Sequence, residues 1–433
     1  MTEDRKRSIL AWLILATLMP LPFIVKLPTW HIAASVWLYV SALTGYIGLV
    51  LLMWMVVLGA KSVMGLYFRD LAPVLSIHKW IGKYGTLLIF LHPLATALSY
   101  GFNVLAYSLV PALDDGSFER SVTWGRFAFY ALIIVWVTSA LVRGRIAFRP
   151  WKYIHYLAYI ALPLTLVHVP SIGTSYRSLD APRAYFISTL GLFVIFATLR
   201  IRHLFGLGRS RYQVIRHQEV SPGVWLIALR PFGRMVHVAR GQYIYLHWSL
   251  LGEEHPFTVL QMSRASGELT VAYKVAGTWT QKLTSLQDGD ELFLDGPYGG
   301  FMADIPDVGS QPTVYIAAGI GITPFVDAII SGREQDSWLF YANQRPESAA
   351  FSRQLQKRLG PRYVSVLSRV DTPASANDEH GHIRADIIQK YLEDPAAYHY
   401  YICGSEGFMK SAKHALHVAG VSSAQIHSEA FGW

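Results

Sequence analysis

Long apolar runs recur through the first half of the chain, each close to the roughly 20 residues an α-helix needs to cross about 30 Å of hydrocarbon. Six can be drawn, at about 8–25, 34–59, 78–100, 124–142, 153–169 and 184–203, and they predict six membrane-spanning helices. The fifth is short and contains Pro163. From about residue 210 the pattern shortens to alternating stretches, YQVIRH, GVWLIALR, GQYIYLHW, ELTVAYKV and ELFLDGPYGG, separated by Gly and Pro turns. Such spacing predicts a small antiparallel β-barrel. After about 306 the buried-strand runs TVYIAAG, SWLFYAN, YVSVLSR and YYICGS alternate with helical stretches, the pattern of a parallel α/β sheet. Three domains are therefore expected, at 1–207, 208–305 and 306–433. No internal repeat stands out.

Charge sharpens this division. The 433 residues are 52% hydrophobic and 15% charged, with a net charge of +9. Residues 1–207 carry 18 Lys and Arg against 7 Asp and Glu, whereas the rest carry 20 against 22. The surplus sits at the ends of the apolar runs, at Arg5 to Arg7, Lys61 to Lys83, Arg143 to Lys152 and Arg200 to Arg211. That distribution argues against nucleic-acid binding and, by the positive-inside rule, puts both termini in the cytoplasm. A bacterial inner membrane is the expected location. The N-terminus is basic and then apolar, like a signal peptide, but lacks a clear small-residue cleavage site, so a retained first helix is expected. Cys403 is the single cysteine, which excludes internal disulfides, Cys-ligated iron–sulfur clusters, zinc ribbons and covalent c-type haem.

Ionisable side chains within a span are costly and mark function by default. Four histidines qualify: His78 and His92 on the third span, His155 and His168 on the fifth. Their separations of 14 and 13 residues correspond to about 21 and 20 Å of helix. With both spans running outward, His78 faces His155 near one side and His92 faces His168 near the other. Two facing imidazole pairs are what two non-covalent b haems require as axial ligands. Helical phase supports the first spacing but leaves His155 and His168 about 140° apart on an ideal helix. Pro163, lying between them, is the expected site of a correcting kink.

Taken together, the chain resembles the ferric reductase and NADPH oxidase superfamily over nearly its whole length: a six-helix transmembrane di-haem bundle fused to a flavin-binding antiparallel β-barrel and an α/β nucleotide-binding domain. The resemblance implies FAD contacts from HPFTV, with Thr258 near the flavin N5 and His255, Pro256 and Phe257 lining the ring. It implies that KVAGTWTQKL cradles the FAD pyrophosphate through Gly277, Trp279 and Thr280. AAGIGITPF supplies Gly319, Gly321 and Thr323 for the dinucleotide. YYICGSEGFM places Cys403 and Gly404 beside the nicotinamide, and Ser368 and Arg369, with Arg345 a second candidate, hold the 2′-phosphate of NADPH. In the tail HSEAFGW, Phe431 matches the aromatic that stacks on the flavin, with Trp433 its rival. Thr258, Cys403 and Phe431 are thus the expected catalytic residues.

The implied activity is electron transfer from cytoplasmic NADPH through FAD and two b haems to an external acceptor: a ferric chelate, oxygen or a redox protein. A dedicated superoxide producer is the first alternative. The family's oxidases lead one to expect a His one turn beyond the outer third-span ligand and an Arg in the outer part of span two, but here Thr96 occupies that turn and residues 34–59 contain no Arg. Membrane lipid is the remaining expected partner. A transporter, or a scaffold with a degenerate reductase module, are the readings of other classes.

Overall fold

The computed structural model describes residues 3–29, 31–65, 67–68, 70–112, 116–250, 253–302, 312–331, 336–370 and 377–430. The chain divides into two compact units, Met1–His203 and Leu204–Trp433.

Among the described residues of the first unit, six helices are long and apolar enough to cross a membrane: Arg5–Ile24, Ala33–Leu58, Ala72–Tyr100, Gly116–Leu141, Phe148–Ile172 and Asp180–His203, here spans one to six. Span two is the most buried. Its Leu49, Leu52, Met53 and Val56 pack in one cluster with Leu132, Ala161, Leu162, Phe186 and Phe196. Spans one and six instead expose large apolar side chains such as Trp12, Phe23, Leu192 and Ile195. In water such a surface would be an aggregation site; in a bilayer it meets acyl chains. Spans three and five begin at Ala72 and Phe148, earlier than their apolar runs, so His78 and His155 lie about two turns into their spans rather than at the start. Span three stops at Gly101, whose left-handed φ of 68° lets the chain leave the helix without a Cβ clash.

Three irregularities shape the bundle. Spans three and four each contain a π turn, at Ile81–Gly85 and Val137–Leu141. Span five is interrupted at Tyr156 and Leu157, between helices Phe148–His155 and Ala158–Ile172. There Leu157, Tyr159 and Ile160 donate their N–H groups to the carbonyls of Ile154, Tyr156 and Leu157, three residues back rather than four. Each residue wound this way turns about 120° instead of 100°, supplying rotation that an ideal helix lacks between His155 and His168. The correction to the expectation is one of place: the rewinding lies at 154–160, and Pro163 sits within the regular helix that follows.

In the second unit, β1 (Ser210–Ser221), β2 (Val224–Pro231), β3 (Tyr243–His247), β4 (Glu254–Met262), β5 (Leu269–Lys274) and β6 (Glu291–Tyr298) close a barrel in the order β1-β2-β5-β4-β3-β6. Alternating residues Ile244, Leu246, Phe257, Val259 and Val271 fill it. A parallel sheet follows, built from β7 (Thr313–Ala318), β8 (Trp338–Asn343), β9 (Tyr363–Leu367), β10 (Asp378–His380), β11 (His399–Gly404) and β12 (Ile426–Ala430). Its order β10-β9-β8-β7-β11-β12 changes direction between β7 and β11. Ligands of open α/β sheets bind outside the strand ends at such a switch.

Candidate functional site

In the membrane unit the four imidazoles meet in two pairs. The ring centroids of His78 and His155 are 6.1 Å apart with planes at 67°, and those of His92 and His168 are 6.1 Å apart at 87°. A metal–imidazole bond of about 2 Å on each side, plus about 1 Å from each ring centre to its edge nitrogen, places two axial imidazoles about 6 Å apart, so both pairs fit a six-coordinate iron.

The second nitrogen of each ring is occupied. His78 Nδ1 lies 2.9 Å from the carbonyl oxygen of Met55, His92 Nδ1 2.8 Å from that of Ser41, and His168 Nδ1 2.9 Å from that of Ser121. A carbonyl only accepts, so in each case Nδ1 carries the proton and donates it, leaving Nε2 as the bare ligand atom. These are the outer partners that orient and polarise metal-bound histidines.

Glycines make these approaches feasible. A Cβ on Gly45 would lie 2.9 Å from His92 Nδ1, on Gly59 3.2 Å from His78 Cε1, and on Gly125 2.5 Å from His168 Nδ1. Each glycine follows its accepting carbonyl by four residues, so one unit recurs, a carbonyl with a glycine one turn later that lets the imidazole reach it. Gly45 on span two and Gly59 just past its end are 14 apart, as are His78 and His92 on span three. These glycines were missed in the sequence, although a glycine spacing that matches a histidine spacing was there to be read.

On the barrel, β4 carries the HPFT segment. Residues of one strand face alternate sides. Phe257 and Val259 therefore point into the barrel, and Pro256 and Thr258 share the other face with Tyr243 and Tyr245 of β3, their partners in register. Tyr298, paired with Tyr243, extends this row, with rings 5.5 Å from Tyr245 and 6.0 Å from Tyr243. Its hydroxyl donates to Asp295 at 3.0 Å, and burial, with the Asp295 carboxylate next, pushes the phenol pKa upward. Thr258 is only 3% exposed, and its Oγ1 has no hydrogen-bond partner among the described residues. A buried hydroxyl left orphaned beside an aromatic row suits a planar, polar-edged ring. The three tyrosines were also missed as site residues, since Tyr243 and Tyr245 in GQYIYLHW and Tyr298 in ELFLDGPYGG were read only as strand.

Two expected pyrophosphate contacts are otherwise engaged. Trp279 is buried in the barrel core, its ring 4.3 Å from that of His255 and 5.6 Å from that of Phe257. Thr280 Oγ1 accepts from the N–H groups of Ala276 and Gly277. The segment is thus braced by its own side chains, and Gly277 is exposed and extended, with its N–H already given to Thr280.

The nucleotide motifs converge at the switch between β7 and β11. Gly319 has a φ of 52°, and a Cβ on Gly321 would stand 2.5 Å from the carbonyl oxygen of Cys403. Only glycine permits this contact, which seats the turn after β7 on the end of β11. Cys403 is fully buried; burial, then the neighbouring Glu429 carboxylate, raises its thiol pKa. Thr323 Oγ1 donates to the Ile320 carbonyl at 3.0 Å and so braces the turn. At the ends of β8 and β9, Ser368 N–H donates to Asn343 and Arg369 N–H to Gln344, both at 3.0 Å. This brings exposed Arg345 and Arg369 to one edge. Phe431 and Trp433 lie outside the described residues.

The two units define the class: a membrane-spanning redox protein with a ferredoxin-reductase-like soluble part. Three family descriptions match: a ferric reductase like transmembrane component at residues 44–166, an FAD-binding domain at 226–301 and an oxidoreductase NAD-binding domain at 315–414. Dual oxidase 1 of Rattus norvegicus is 26% identical over 59% of this chain and 18% of its own length. NADPH oxidase 3 of the same organism is 33% identical over 33% of this chain and 26% of its length. The flavohemoprotein of Bordetella pertussis is 24% identical over 52% and 61%. The matches thus span less than two thirds of these relatives. Among solved structures, the FAD/NAD binding domain of the nitric oxide dioxygenase from Vibrio cholerae aligns at a TM-score of 0.45 and 21% identity, over 52% of this chain and 99% of that one. This chain thus joins a ferric reductase like transmembrane component to FAD-binding and NAD-binding domains, and is similar to NADPH oxidases.

Proposed function

We propose that the protein is a transmembrane oxidoreductase that takes electrons from NADPH at a cytoplasmic soluble unit and delivers them, through FAD and two b haems, to an acceptor outside. The observation that carries this reading is the pair of facing imidazole sets, each at 6.1 Å. FAD, when held by the barrel, would supply the conversion from a hydride to single electrons, and haem between the histidine pairs would supply one-electron relay.

The chain's own residues hold these groups. His78 and His155 ligate one haem, and His92 and His168 the other. Thr258 offers its buried hydroxyl to the flavin edge, with Tyr243, Tyr245, Tyr298 and Pro256 forming the face beneath. Gly277, exposed and without a side chain, leaves room for the pyrophosphate at the start of the Thr278–Leu283 helix. Gly319 and Gly321 let the dinucleotide approach the sheet, Cys403 and Gly404 border the nicotinamide, and Arg345, Ser368 and Arg369 bind the 2′-phosphate as a fork of donors. Phe431 covers the flavin. The basic connectors keep the soluble unit on the cytoplasmic side of a bacterial inner membrane.

A ferric chelate or external redox protein suits the outer end better than dedicated superoxide production. One turn beyond His92, the Thr96 hydroxyl donates to the His92 carbonyl at 2.8 Å and is bonded to Ser41 as well, so that turn offers no titratable proton donor.

A reduced-minus-oxidised spectrum of the purified protein should show b-type haem at two per chain, and His92→Leu should remove one while NADPH still bleaches the flavin. A wild-type spectrum without haem rejects the proposal. Ferric-chelate reduction measured beside cytochrome c reduction, with and without oxygen and superoxide dismutase, then identifies the acceptor.

A further inference from the structure

One imidazole of the four departs from the rule that governs the others. Fourteen residues beyond Gly125 stands Ser139, in the place where the repeat calls for a glycine, and its Oγ is 3.2 Å from His155 Nδ1. The carbonyl four residues earlier, at Val135, lies just before the span-four π turn and has the Thr138 hydroxyl at 3.2 Å, a hydroxyl whose shorter bond, 2.7 Å, goes to the Ile134 carbonyl. Ser139 has a second neighbour. Trp151 Nε1 donates to the same oxygen at 3.1 Å, and the indole ring lies against His155 with centroids 5.0 Å apart and planes at 29°. The Arg143 guanidinium sits 4.4 Å from the indole centre.

An indole N–H can only donate, so it draws on the lone pairs of the oxygen that His155 needs. A hydroxyl that accepts from Trp151 takes less of the Nδ1 proton than a peptide carbonyl with no such competitor. The less that proton is pulled away, the weaker the electron donation from Nε2 to a bound metal. Ferric iron needs that donation more than ferrous iron does.

Resting on the bis-histidine reading above, we infer that Ser139 and Trp151 are positioning residues that raise the reduction potential of the His78/His155 haem through the His155 Nδ1 hydrogen bond. The step affected is uptake of one electron from the reduced flavin, ferric iron becoming ferrous. The His92/His168 haem lacks this device: each ligand has a backbone carbonyl 2.8 or 2.9 Å from Nδ1, and the Ser41 hydroxyl, 3.3 Å from His92 Nδ1, is bonded to Thr96 rather than to an indole.

The test is a potentiometric titration of the full-length protein, followed by visible absorption, with His92→Leu used to assign the inner midpoint. Trp151→Phe keeps a ring against His155 and removes the competing donor. It should favour the ferric form of the inner haem by about tenfold, a fall of about 59 mV for one electron, and leave the outer midpoint in place. Ser139→Ala removes the acceptor and should move the inner midpoint upward, whereas Ser139→Thr should restore it. An inner midpoint unmoved by Trp151→Phe, or moved in the same direction by Trp151→Phe and Ser139→Ala, overturns the inference. Should Ser139→Ala fail to retain the inner haem, Trp151→Phe decides alone. Absence of haem from the wild type would defeat the function reading instead, and the starting spectrum shows this before any variant is made.

Discussion

The glycines beneath the imidazoles offer a graded test. Replacing Gly125 by Ala puts a methyl group 2.5 Å from His168 Nδ1, whereas ordinary contact begins at 3.4 Å, so the ring must retreat by about 0.9 Å. Gly45→Ala, starting from 2.9 Å, demands about 0.5 Å of His92, and Gly59→Ala, from 3.2 Å, about 0.2 Å of His78. Metal–ligand distances tolerate about 0.2 Å. Gly125→Ala therefore breaks both the ligand position and the Nδ1 bond to Ser121, at a cost of about 1 kcal/mol for the bond and about 10- to 100-fold in haem affinity. Gly59→Ala should be nearly silent. Helix propensity cannot explain a loss at Gly45 or Gly125, because Ala is favoured over Gly by about 1 kcal/mol in a helix interior. The assay is haem per polypeptide from the pyridine haemochrome, with a redox titration to identify the haem that departs. The expected order of loss is Gly125→Ala, then Gly45→Ala, then Gly59→Ala, the first two emptying the outer site. Full retention of two haems by Gly125→Ala, or equal loss from all three, would refute the packing argument.

Other outcomes follow from the soluble unit. Thr258→Val should leave thermal stability unchanged, since Oγ1 has no partner among the described residues to lose, yet slow flavin reduction by NADPH about 3- to 10-fold in stopped flow, the worth of one hydrogen bond; unchanged kinetics would remove Thr258 from the flavin edge. Arg369→Ala should raise the KM for NADPH far more than that for NADH, and equal effects would reject the 2′-phosphate assignment. Burial raises the Cys403 thiol pKa, so at pH 7 to 8 its reactive thiolate is scarcer than that of a free cysteine. Iodoacetamide should accordingly label Cys403 only after unfolding, as read by mass spectrometry; rapid labelling of the folded protein at pH 7.5 would contradict its burial.

The sequence made the main architecture legible because bilayer thickness and strand alternation leave strong periodic traces. What it hid has specific causes. β4 was read as a cofactor motif rather than a strand, since Pro256 and the polar Glu254 and His255 break its alternation. β10 and β12 are short edge strands of mixed polarity, without an apolar run. The rewound stretch at 154–160 escaped because i→i−3 bonding leaves no residue signature, and the only visible helix breaker was Pro163. In the membrane site the histidines were conspicuous as costly residues, while their glycine and carbonyl partners were not. A glycine in a span looks like an ordinary small residue, and a carbonyl has no letter of its own.

Spans two and three form one helical hairpin and spans four and five another; His78, His92 and His168 each rest on a carbonyl and a glycine of the preceding span or its end, and His155 on the Ser139 hydroxyl. Gly45 and Gly59 in the first hairpin correspond in spacing to Gly125 and Ser139 in the second, so the two hairpins repeat one arrangement of supports. Every facing pair takes one ring from each hairpin. Neither hairpin alone can complete a site, and a metal held between the rings is a rivet through both, placed at two depths. The mechanical integrity of the membrane unit would then depend on the supply of its cofactor, and scarcity of haem would be felt first as loosening between the hairpins.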